Sequence, residues 1–189
     1  MAKRFMLGGL ATLASVWVLA ICSNWAVSLA QQDSSIKEAI AVINPASGSN
    51  CKGIVRFTGE AGGVKVVADI EGLAPNSIHG FHIHEFGDCS APDAASAGSH
   101  YDAAGTKHHG RPDETNRHAG DMGNIQADGG GKAHYELLLS GATIMGSDAP
   151  ILGRSVIVHA NPDDFSQPVG NAGSRIGCGV IGIMKPTVK

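Results

Sequence analysis

The chain has 189 residues, 26 of them glycine, and a formal net charge of −3. That charge, with basic residues that form no run, argues against a nucleic-acid partner. Glycine at this density marks turns rather than disorder, because short apolar runs recur between the glycines. The length left beyond an N-terminal leader suits one domain with a sizeable core.

Residues 1–30 read as an export signal: Lys3 and Arg4, an apolar stretch over 5–20, then Ser28-Leu29-Ala30 as a small-x-small cleavage site before Gln31. Two other readings stay open. Residues 5–27 are long enough for a retained membrane anchor if Asn24 is tolerated. Cys22 would suit a lipoprotein, although Ile21 stands where such sites want a small residue. The expectation is an exported protein, periplasmic or extracellular, touching a membrane only if the leader is retained. Residues 31–37 form a short polar tether, 38–185 the domain and 186–189 a tail, with no internal repeat.

Eight runs in the domain have the alternation or short apolar character of strands: 39–43, 53–58, 64–70, 80–84, 122–127, 133–139, 155–159 and 178–183. The third, V-K-V-V-A-D-I, alternates most clearly. Asp128-Gly129-Gly130-Gly131, between the fifth and sixth, is a hairpin signal. No segment has convincing helical periodicity. Eight strands without helices predict an all-β, antiparallel sandwich or barrel. Two connections, 87–119 and 160–177, break the regular spacing, and loops of that length in a compact domain are usually functional.

Chemistry concentrates in residues 80–121, which hold six of the nine histidines: His82, His84, His100, His108, His109 and His118. In a strand, residues two apart share a face, so His82 and His84 can close on one ion. Alone, such a pair reads more readily as two surface histidines on a polar strand face. The rest of the set changes this: His100, His109 and His118 recur at even spacing, Asp121 follows, and His159 ends the run S-V-I-V-H. The imidazole-rich group His82, His84 and His159 suits copper, and His109, His118 and Asp121 suit tetrahedral zinc. If each ion takes four protein ligands, one ligand is shared. His100 is the natural candidate, because an imidazole stripped of both protons ligates through each nitrogen. A three-ligand site with an open position satisfies the same residues.

Four motifs in order, G-F-H-I-H-E-F-G-D, R-H-A-G-D-M-G-N-I, V-I-V-H-A and G-N-A-G-S-R-I-G-C-G-V-I-G-I, together with the spaced histidines, resemble copper/zinc superoxide dismutase over residues 39–184. The resemblance implies an eight-stranded Greek-key barrel flattened into an immunoglobulin-like sandwich. It implies an enzyme converting superoxide to dioxygen and hydrogen peroxide, with one copper and one zinc ion per chain. Copper would be held by His82, His84, His100 and His159, and zinc by His100, His109, His118 and Asp121. Asp163 would bridge His82 and His109 from outside the ligand set. Arg175 would receive the superoxide anion, and His100 would supply a proton.

A Cys89–Cys178 disulfide is likewise implied, with two buried thiols as the alternative; it leaves Cys51 odd. Phe86-Gly87, Ile151-Leu152-Gly153 and Ile181-Gly182-Ile183 are similar to contact segments of the family's homodimer. One departure stands out: the segment from His100 to His118 is a residue longer than the commonest family spacing. Counting from His100 favours His108 as the zinc ligand, whereas counting back from Pro112 favours His109. The pattern H-G-x-P, completed by His109, decides for His109. Outside the site, His79 reads as a structural histidine bonded to backbone, His134 as solvent-facing on a strand and Asp164 as a solvated loop acid.

Overall fold

The computed structural model describes residues 36–185; the leader, residues 31–35 of the tether and the tail lie outside them. All eight expected strands form: β1 (Glu38–Pro45), β2 (Lys52–Glu60), β3 (Gly63–Glu71), β4 (Ile78–His84), β5 (Asp121–Gln126), β6 (Ala133–Ser140), β7 (Ser155–His159) and β8 (Arg175–Ile183). A 3-10 turn at Ala95–Ala97 is the sole helical piece among the described residues, and among them no helix is long and apolar enough to cross a membrane.

Every ladder is antiparallel, in the order β5-β4-β7-β8-β1-β2-β3-β6. The result is a nearly closed Greek-key barrel in which β8 serves both halves, pairing with β1 and with β7. The turn at 128–131 forms as expected, with the Asp128 N–H donating to the Lys132 carbonyl at 2.7 Å. The strands it joins are not ladder partners, however, which corrects the hairpin expectation: β5 follows β4, β6 follows β3, and the barrel seam runs between them. There the Tyr135 hydroxyl on β6 donates to the Met122 carbonyl on β5, so a side chain spans the seam.

Alternation explains the core. Along β3, Val64, Val66, Ala68 and Ile70 are buried and the residues between them are more exposed, the period expected of a strand with one face on the core. β7 breaks that rule, being buried at all five positions. Val156 and Val158 point into the barrel, while Ile157 packs on the other face against Ala46, Ala94, Ala97 and Cys178. A strand covered on both faces reads as a continuous apolar run, and V-I-V is one.

The cover over Ile157 is the loop from β4 to β5, tied down by the Cys89–Cys178 disulfide, whose Cα atoms lie 5.8 Å apart. Cys51 is buried and free, its thiol pushed up to about 12 by burial.

Candidate metal centre

On β4, Phe81 and Ile83 enter the core, so His82 and His84 must face the opposite way. They are nevertheless fully buried, because the β4–β5 loop lies over them. The Ile83 N–H donates to the Gly120 carbonyl, and the Ile83 carbonyl accepts from Tyr101, each at 2.9 Å. This lays the loop along β4 as an added strand and sets His100 opposite His84. β7, paired with β4 on its other edge, delivers His159 from its last position.

The resulting side chains form two four-residue groups sharing one member: His82, His84, His100 and His159, and His100, His109, His118 and Asp121. Within each group the potential ligand atoms lie within 4.8 Å of one another. A third group, His82, His109 and Asp163, adjoins both. His108 belongs to none of them; it is His109 that is buried and turned inward. Just before it Lys107 adopts a positive φ of 53°, and Asp102 accepts the N–H groups of Thr106 and Lys107.

Hydrogen bonds fix which nitrogen of each ring is left over. The Nδ1 of His84 donates to the Gly98 carbonyl at 3.0 Å and that of His159 to the Gly173 carbonyl at 3.2 Å. Both Nε2 lone pairs then face inward, 3.4 Å apart. His82 and His109 are reversed. Each donates Nε2–H to Asp163, at 2.9 Å; the Nδ1 of His82 is buried without a hydrogen-bond partner, and that of His109 has only the Asp121 carboxylate beside it. Around one Asp121 oxygen stand the Nδ1 atoms of His100, His109 and His118, at 2.8, 3.0 and 3.3 Å.

Unpartnered buried nitrogens and opposed lone pairs are costly unless a cation lies between them. The all-imidazole group fits copper and the three-imidazole, one-carboxylate group fits zinc.

Electrostatics prepares the same atoms. Burial, reinforced by His82, pushes His159 down to about 3, and burial pushes His100 to about 4 against the opposing pull of Asp121. His84 is held well below the ordinary 6.5 by burial and by His100 and His159. These rings stay neutral, the form that binds a metal. For His109 burial also acts downward, but Asp121 and Asp163 outweigh it and raise the ring to about 9. Burial would raise Asp121, yet hydrogen bonds from His100, His109 and His118 hold it far below the usual carboxylate range. Asp163 is lowered in the same way by His109 and His82.

The other singled-out residues fall as follows. Arg175, half-buried, donates through its two terminal nitrogens to the carbonyls of Ala94 (2.6 Å) and Gly98 (2.5 Å). Its charge reaches His84 and His159, lowering both. His79 donates Nδ1–H to the His159 carbonyl at 2.7 Å, and exposed His134 pairs with Asp69 at 2.7 Å. Asp164 is exposed and accepts from the Ser166 N–H and the Asn171 amide.

Three features were not assigned a role from the sequence, although Asn124 and Gly170 fall within the quoted motifs. Asn124 and Asp163 exchange hydrogen bonds of 2.9 and 2.7 Å. The Gln167 amide brackets the His109 backbone. Gly170, at φ +76°, sits where a Cβ would run into the Asp163 carboxylate and the His109 ring, so only glycine fits.

A barrel whose outer face carries two adjoining groups that could each hold a cation, sharing one histidine, has the layout of a two-metal enzyme class. The comparisons agree. A family model described as copper/zinc superoxide dismutase (SODC) matches residues 51–181. A superoxide dismutase [Cu-Zn] of Paramecium bursaria Chlorella virus 1 is 48% identical over 141 residues, 71% of this chain and 74% of the viral protein. The crystal structure of the clock protein EA4 superposes with a TM-score of 0.72 at 37% identity, covering 80% of this chain and 97% of EA4. The chain belongs to the copper/zinc superoxide dismutase family and is an enzyme of that kind.

Proposed function

We propose that this protein is an exported enzyme that converts two superoxide anions and two protons to dioxygen and hydrogen peroxide. The observation that carries the reading is that His100 belongs to both four-residue groups, since a shared imidazole couples one ion to the other. His82 would hold copper through Nδ1, and His84, His100 and His159 through Nε2. His100, His109 and His118 would hold zinc through Nδ1, with Asp121. Bound copper supplies one-electron chemistry, and bound zinc, which has none, supplies charge and order.

The chain's own residues do the rest. The Arg175 guanidinium, pinned by two carbonyls, presents a fixed positive charge to an incoming small anion. His100, its Nδ1 engaged with Asp121, would carry a proton on Nε2 only when that nitrogen is not holding copper, and would then give it to the product. Asp163 fixes the tautomers of His82 and His109 together, an outer partner that orients two ligands at once.

Export is supported by the leader pattern and by the disulfide, which belongs to oxidising compartments. A homodimer is supported by exposed Phe86, Val42, Val180 and Ile183; Ile151 and Ile181 face the core and would not contribute. Metal analysis of the purified protein with a superoxide assay tests the function. One copper and one zinc per chain with activity is the expected result, and zinc alone with hydrolase activity would overturn it.

A further inference from the structure

Six of the seven grouped residues owe their positions to β4, β5, β7 or the loop segments laid against them. His109 does not; it lies in the irregular part of the β4–β5 loop, two residues after Lys107 with its positive φ. It is held instead by the loop after β7. The Gln167 side-chain amide accepts the His109 N–H at 2.9 Å and donates to the His109 carbonyl at 2.7 Å. That is the pair of bonds a neighbouring strand would make, supplied by one side chain 58 residues away.

Phe165 fixes the ring. Its own ring runs parallel to that of His109, 15° between planes and 6.2 Å between centroids, and Arg111 sets its guanidinium 3.9 Å from the Phe165 centroid. The Phe165 N–H also donates to Asp163 at 2.8 Å, so one residue orients both the His109 ring and the carboxylate that receives its Nε2–H.

We propose that Gln167 and Phe165 are positioning residues for His109, holding it so that Nδ1 faces the His100, His118 and Asp121 group while Nε2 faces Asp163. The inference rests on the reading of that group as the zinc site. Neither residue supplies an atom to the group; their effect is to order a loop histidine before the metal arrives, which raises affinity by removing an ordering cost.

The test uses the full mature protein, reconstituted with copper and zinc, in four variants: Gln167→Ala, Phe165→Leu, Phe165→Tyr and His109→Ala. Zinc affinity is measured by chelator competition, and the visible spectrum of cobalt placed in the zinc site reports the ligand geometry. Gln167→Ala and Phe165→Leu are expected to weaken zinc about 10–100-fold, the range for lost outer partners, to perturb the cobalt spectrum and to leave copper affinity unchanged. Phe165→Tyr, which keeps the ring, should restore both readouts. Gln167 is exposed, so Gln167→Ala carries the test if Phe165→Leu fails to fold. Parental zinc affinity and cobalt spectrum in Gln167→Ala and Phe165→Leu, with loss in His109→Ala, would overturn this proposal alone. Equal weakening of copper and zinc would overturn it as general loosening. Unchanged zinc in His109→Ala would overturn the zinc-site reading and this proposal with it.

Discussion

His84 and His159 face each other through Nε2 atoms 3.4 Å apart, and each already donates its Nδ1–H in a hydrogen bond to a backbone carbonyl. Two inward lone pairs at that separation repel unless a cation joins them. The backbone therefore writes the metal requirement into the tautomers: the carbonyls of Gly98 and Gly173 decide which nitrogen is free, and Asp163 decides it for His82.

The grouping predicts a pattern of metal loss. His100→Ala should weaken both metals, since His100 stands in both groups; His159→Ala should weaken chiefly copper and Asp121→Ala chiefly zinc. Each loss should exceed the ~10–100-fold typical of an outer partner if the residue removed is a direct ligand. Elemental analysis and the copper spectrum check this, and a His100→Ala protein with parental occupancy of both metals would remove the bridge.

The buried histidines predict how the metal-free protein responds to pH. His100 and His159 are lowered from 6.5 to about 4 and about 3, and His84 is lowered as well. Below about pH 6.5 the unfolded chain binds protons that the folded chain refuses, so stability falls as pH drops. His109 is raised to about 9; its contribution is complete below 6.5 and is lost as pH rises through 9. Asp121 and Asp163, both lowered, add stability that disappears as pH falls below the ordinary carboxylate value of 3.8. Melting temperature in chelator should peak near pH 6.5, with the acid limb steeper than the alkaline one. A curve flat from pH 4 to 6.5 would contradict this account.

The strands were legible in the sequence because their side chains repeat every two residues and one face is buried; β3 alternates in burial as V-K-V-V-A-D-I does in polarity. The histidine groups were legible because β4 and β7 place His82, His84 and His159 at strand positions. What the sequence did not show are contacts between loops. Gln167 meets His109 across a gap that no periodicity spans. The seam between β5 and β6 escaped because a turn signal reports the turn and not whether the strands beyond it pair. The choice between His108 and His109 was one residue of register, and only the folded loop shows that His109 is the one buried among the grouped side chains.

The disulfide should matter for more than stability. It closes a separation of 89 residues, for which the chain-entropy model gives about 4–5 kcal/mol as a ceiling. It also packs with Ala94 and Ala97, and the Ala94 and Gly98 carbonyls are what Arg175 grips. Cys89→Ser should lower the melting temperature and reduce activity at full metal loading, because the loop that aims Arg175 is freed. Non-reducing peptide mapping should recover the Cys89–Cys178 pair; a bridge involving Cys51, buried with its thiol pushed up to about 12, would contradict the assignment.

The last prediction concerns how substrate is captured. Superoxide is a small anion, and a cation at the mouth of the copper group raises its encounter rate and holds it for electron transfer. Arg175 has the required features: its hydrogen-bond partners are uncharged carbonyls, Asp93 favours its charged form against the effect of burial, and its field reaches His84 and His159. The loop beside it, A-N-P-D-D-F-S-Q-P-V-G, contains no lysine, arginine or glutamate to share the task, and Arg111 is stacked on Phe165. Arg175→Ala should therefore keep both metals and lower kcat/KM by about ten-fold or more, the scale of lost steering. Because Arg175→Ala also frees two carbonyls, Arg175→Lys separates charge from anchoring: it restores a cation but not the planar fork. Rising salt should slow the parent and Arg175→Lys proteins more than Arg175→Ala, since screening weakens an attraction that Arg175→Ala has already lost. Equal salt slopes in all three, or full activity in Arg175→Ala, would assign the capture of superoxide to another residue.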